Sequence, residues 1–83
     1  MSRYDPLYRH LSTQTGHIVT MTFAEIENVL GFDLPPSARK YAAWWGSADP
    51  DTGQHPYSQA WLRAGRRATV NLTAERVVFE RSS

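Results

Sequence analysis

The chain has no cysteine among its 83 residues. That excludes a disulfide framework and any zinc site built on thiolates, and it fits a reducing, cytoplasmic setting. Long apolar runs are missing too: nothing approaches the roughly 18–20 residues that span a bilayer. Arg3, Asp5 and Arg9 interrupt the place where a secretion signal needs a continuous apolar stretch. The Asn71-Leu72-Thr73 triplet therefore reads as a chance glycosylation sequon. No glycine-rich phosphate loop, repeat or low-complexity tract occurs. A strong charge of one sign is also lacking, since the net charge is only +1, so the global balance does not argue for nucleic acid.

What is present is an aromatic-rich small domain. Three Trp, four Tyr and three Phe can each remove roughly 150–250 Å² from water when buried. This matters because a domain of this length buries only about 60% of its chain surface. The chain is expected to form one domain over residues 1–83. Its charges are unevenly spread. Residues 1–38 hold two arginines against four acids, a net of −2, whereas residues 39–67 hold Arg39, Lys40, Arg63, Arg66 and Arg67 against Asp49 and Asp51, a net of +3. Residues 68–83 balance. Such asymmetry can mark a nucleic-acid surface or simply a solvated face.

Local patterns give an element order. Asp5-Pro6 resembles a cap followed by proline at the first helical position, and Tyr4, Leu7, Tyr8 and Leu11 then fall at helical spacing, predicting a helix over 6–13. His17 to Met21 reads as a short strand. Thr22 and Glu25 form a capping box ahead of a stripe of Phe23, Ile26, Val29 and Leu30, closed by Gly31. After Leu34-Pro35-Pro36, a further helix is expected to run to Gly46, with Ala38, Tyr41, Ala42 and Trp45 on its apolar face. Residues 46–56 read as a loop. Residues 57–64 predict a short helix ended by Gly65, with Tyr57, Ala60, Trp61 and Ala64 inward. Alternation around Val70, Leu72, Val77 and Phe79 predicts a C-terminal hairpin.

A lone hairpin is marginal in water, so the early strand is expected to pair with it. The result is an α+β, winged-helix-like domain: three to four helices packed on a small antiparallel sheet closed by a C-terminal hairpin, or wing.

No catalytic constellation stands out. His10, His17 and His55 lie at no ligand spacing, so no metal or cofactor is expected. His55 and Ser58 lack an orienting acid and oxyanion donors. Asp49 and Asp51 suit turns better than paired-carboxylate chemistry. The expected work is binding rather than catalysis, with double-stranded DNA as ligand and no role for a membrane. A helix entering the major groove at 57–64 would present Ser58, Gln59, Leu62 and Arg63. Amide and guanidinium groups read base edges bidentately, while Arg39, Lys40, Arg66 and Arg67 would neutralise phosphates and Arg76 would touch the backbone from the wing.

Each residue also has a plainer reading. Trp45, Trp61 and Tyr41 read as core. Arg39 could pair with Asp33 or Glu25, and Arg66-Arg67 could guard a hairpin edge. Trp44 either caps the core or, with Tyr57 and the loop, forms an aromatic anchor for a protein partner. A single module this size would bury about 600–1,000 Å² on DNA, so a homodimer or larger assembly is expected.

The segment Leu34-Pro35-Pro36-Ser37-Ala38-Arg39-Lys40-Tyr41-x-x-Trp44-Trp45 is followed by His55 and by Ser58-Gln59-Ala60-Trp61-Leu62-x-Ala64-Gly65. With Thr22-Phe23-x-Glu25-Ile26-Glu27 before it and Val77-Val78-Phe79 after it, it resembles a small bacterial domain family of unknown function. That family occurs alone or joined to other modules, some related to DNA restriction. The resemblance spans nearly the whole chain and implies a bacterial or phage origin and a nucleic-acid context, such as a small regulator. The chain departs from the pattern in the long loop before His55, in Pro56-Tyr57 ahead of Ser58, and in Arg66-Arg67 where an aromatic is common.

Overall fold

The stripe of Leu7 and Leu11 is buried on the helix it predicts, α1 (Asp5–Thr13). The computed structural model describes residues 2–46 and 56–81. Asp5 lies inside the first turn rather than capping it, because Tyr4 holds the cap position without a side-chain cap bond. The Asp5 carboxylate instead accepts the Ser2 N–H at 3.3 Å. The chain leaves the helix in extended conformation at Gln14, two residues before Gly16.

Strand β1 (Ile18–Thr22) runs directly into α2 (Phe23–Leu30). The expected capping box is formed: the Thr22 hydroxyl accepts the Glu25 N–H at 3.1 Å, and the Glu25 carboxylate accepts the Thr22 N–H at 2.8 Å. Gly31 closes α2 at φ 84°, the left-handed region that favours glycine.

The next segment departs from expectation. Instead of one helix to Gly46, α3 covers only Pro36–Lys40 and a 3₁₀ turn covers Ala42–Trp44. Between them Tyr41 is extended, at φ −123° and ψ 119°. The reason lies in Trp45. Its buried indole N–H donates to the Ala38 carbonyl at 2.8 Å, the acceptor that the Ala42 N–H would take in a continuing helix. The break brings Trp45 into the core and turns Tyr41 outward, to 61% exposure. The expected core place of Tyr41 is thus overturned, and Ala42 is exposed with it.

Helix α4 (Pro56–Leu62) is followed by β2 (Arg66–Asn71) and β3 (Arg76–Arg81). Gly65, at φ 75°, makes the turn between α4 and β2. The three strands form one antiparallel sheet in the order β1-β3-β2, so the early strand does join the hairpin. Met21, Val77, Phe79 and Ala68 are buried under the helices, and Thr20, Thr69 and Arg67 are exposed.

Stacked aromatics hold the layers together. Trp45 lies between Phe23, at 5.7 Å and 9°, and Trp61, at 5.5 Å and 26°. Trp61 reaches the sheet through Phe79 at 5.9 Å. Offset stacks like these add about 0.5–1.5 kcal/mol beyond their burial. No helix among the described residues is long and apolar enough to cross a membrane.

Candidate nucleic-acid interface

Helix α4 cannot serve as an inserted recognition helix in this fold. Ser58 is 1% exposed, and Ala60 and Trp61 are buried beside it. Gln59 and Leu62 are half-buried. The helix packs on α1 and β2. The periodicity of Tyr57, Ala60 and Trp61 identifies one inward stripe, but a helix this short, wedged between two elements, buries its other flank as well. Of the residues expected to read bases, only Arg63 is exposed. Its guanidinium lies 4.3 Å over the Tyr8 ring and 3.9 Å from the Asp5 carboxylate.

Arg66 is the second correction. It is 1% exposed and points inward. Its two terminal nitrogens donate to the carbonyls of Gln14, Gly16, His17 and Phe79 at 3.1, 2.7, 3.1 and 3.2 Å. It pins the link between α1 and β1 to the sheet and is unavailable to a phosphate. Burial pushes its pKa down, and the nearby Arg81 adds to that. Its neighbour Arg67 is exposed on the outer face of the sheet, opposite Glu80.

The remaining basic residues gather around α3 and the hairpin turn. Arg39 donates to Glu27 at 2.8 Å and to Glu75 at 3.0 Å, rather than to Asp33 or Glu25. Glu27 also accepts the Leu34 N–H at 2.8 Å. That bond, followed by Arg39, holds the Glu27 carboxyl below the usual glutamate range, and Glu27 in turn holds the Arg39 guanidinium up.

Glu75 sits in the hairpin turn with a left-handed backbone, φ 53°, and its carbonyl accepts the Phe23 N–H at 2.9 Å. Arg39 therefore ties α2, α3 and the hairpin turn into one unit. Lys40 and Tyr41 follow it in sequence and Arg76 follows Glu75; all three are exposed. Ala42 and Ala43 extend the same exposed stretch.

The aromatic anchor is committed internally. Trp44 is half-buried and stacks on Tyr57 at 4.0 Å and 13°, with Trp45 edge-on at 4.7 Å. Tyr4 packs against Tyr57 and Phe32 at 6.0 and 5.4 Å. Asp49, Asp51 and His55, together with residues 47–55 of the expected loop, lie outside the described residues. Among the described residues no three of His, Cys, Asp and Glu converge as a metal site.

Sequence reasoning missed Tyr41 and Glu75. A buried Trp usually finds an acceptor for its N–H, which Trp45 does and the equally buried Trp61 does not among the described residues, so even this hint that the helix would break ahead of Trp45 is a weak one. Nothing local announces the contact between Arg39 and Glu75.

The profile of a domain of unknown function, DUF7662, matches residues 4–83. The chain belongs to this family. The double Trp, the Leu34-Pro35-Pro36 entry to α3 and the Gly65 turn thus belong to a DUF7662 domain that fills nearly the whole chain. No curated protein and no solved structure matches it.

Proposed function

We propose that this DUF7662 domain binds double-stranded DNA through α3, the exposed stretch after it, and the β2–β3 turn. The observation that carries the reading is the Arg39 bridge to Glu27 and Glu75. It sets α3 against the wing and leaves Lys40, Tyr41 and Arg76 exposed in the adjoining sequence. Arg39 is then a positioning residue. Lys40 and Arg76 supply charge for phosphates, and the exposed methyls of Ala42 and Ala43 suit contact with thymine methyl groups. The connectivity helix–strand–helix–helix–helix–hairpin, with sheet order β1-β3-β2, is compatible with a winged-helix module. In such a module the helix after α2 enters the groove while the wing lies on the backbone.

The test is titration of the protein into a labelled duplex of random sequence at two salt concentrations. Two phosphate contacts, from Lys40 and Arg76, predict about 12-fold weaker binding on going from 50 to 200 mM salt. A Lys40→Ala/Tyr41→Ala/Arg76→Ala variant should lose binding, and an Arg63→Ala/Arg67→Ala variant should keep most of it. Absence of binding at about 50 mM salt with the protein folded would refute the proposal.

A further inference from the structure

β1 lies at one edge of the sheet, and the ladder geometry decides what that edge offers. Arg81 N–H donates to the His17 carbonyl at 3.0 Å, and Phe23 N–H donates to the Glu75 carbonyl at 2.9 Å. Hydrogen-bonded pairs alternate along an antiparallel ladder. His17, Val19, Met21 and Phe23 therefore aim their backbone groups at β3, while Ile18 and Thr20 aim theirs away from the sheet. Thr22 shares their parity, but its N–H is taken by Glu25. Among the described residues no turn, cap or side-chain bond reaches the backbone of Ile18 or Thr20.

Edge strands are normally blunted by charge, proline, a bulge or a covering element. The run Ile18-Val19-Thr20-Met21-Thr22 has no charge and no proline, and its register with β3 has no bulge. Ile18 is 55% exposed, one of two large exposed hydrophobics among the described residues. The opposite edge differs: β2 opens with Arg66-Arg67, and α4 and the 3₁₀ turn lie against it.

We propose that β1 pairs antiparallel with β1 of a second copy of this chain. A two-fold axis beside Val19 sets Ile18 of each copy opposite Thr20 of the other. Both pairs then exchange both of their N–H···O bonds, and the two sheets become one. The flanks are complementary. His10 lies in the last turn of α1, which leads into the start of β1, and Glu25 lies in the first turn of α2, at its end. Both lie on the same side of β1, so the two-fold brings the imidazole and carboxylate of one copy toward the carboxylate and imidazole of the other. With Gln14, Val19 and Asn28, these groups line a groove of ≈ 340 Å³ along the free edge. This surface is distinct from the α3–wing surface, and its occupant is a second copy whether or not DNA binds.

Sedimentation of the whole chain without DNA, from about 1 μM to 1 mM, tests it. The wild type should shift to twice the monomer mass within that range. Thr20→Pro removes only the outward N–H and spares the ladder to β3; Ile18→Lys installs a guarding charge on an already exposed side chain. Each should lower the association constant at least about tenfold, roughly 1.4 kcal/mol, with an unchanged circular dichroism spectrum. Should Thr20→Pro unfold, Ile18→Lys decides. A wild type monomeric throughout, or a dimer that persists in folded Ile18→Lys, would overturn the proposal.

Discussion

Arg66 shows how a charged side chain can serve the fold alone. Burying a guanidinium is costly unless its donors are met, and here four carbonyls from two segments, the α1–β1 link and β3, accept from its two terminal nitrogens, while its buried Nε has no partner among the described residues. Arg66→Ala should cost about 3 kcal/mol or more, because it empties a buried site and removes four charge-assisted hydrogen bonds. Thermal unfolding should record that as a Tm lower by roughly 10–20 °C. Arg66→Lys should recover little, since an ammonium cannot reproduce the planar fork. Thr22→Ala is a milder case. Losing half of the capping box should cost about 1 kcal/mol, read by the same measurement. Sequence alone placed Thr22 correctly because a capping box is local. Arg66 was open to misreading because its partners Gln14, Gly16 and His17 lie far away in the chain.

At the scale of elements, helix α2, the glycine turns and the hairpin were legible because hydrophobic period and backbone demand agree there. The α3 segment was not legible. Its stripe of Ala38, Tyr41, Ala42 and Trp45 satisfies helical spacing, yet the Trp45 indole takes the Ala38 carbonyl and breaks the helix. Trp45→Phe should therefore destabilise by about 1–3 kcal/mol through the orphaned carbonyl, a loss measurable by urea unfolding. Helix α4 misled for another reason: polarity marked Ser58 and Gln59 as outward, but packing against both α1 and β2 buries Ser58 and half-buries Gln59. The tie between α3 and the wing also carries a pH dependence. Glu27 has a lowered pKa, owing first to the Leu34 N–H and then to Arg39. Its contribution to stability is present above the unfolded value of about 4.3 and is lost as pH falls through the lower folded value. Glu27→Gln should flatten that part of the acid-unfolding profile, whereas Arg39→Ala should remove less of it.

For the whole molecule, the basic surplus of residues 39–67 does not form one patch. Arg66 is interior, Arg39 is paired with two glutamates, and Arg63 lies against Tyr8 and Asp5. Net charge over a segment cannot report this, since it counts every cation as free. What remains exposed around the Arg39 bridge is Lys40, Tyr41 and Arg76, and the proposed interface follows from that remainder. The direct test is an amide chemical-shift map of the labelled protein titrated with a duplex at low salt. The α3–wing account predicts that the largest shifts fall at Lys40, Tyr41, Ala42, Ala43 and Arg76, with Gln59 and Arg63 little changed. Shifts centred on α4, or none at all, would contradict it.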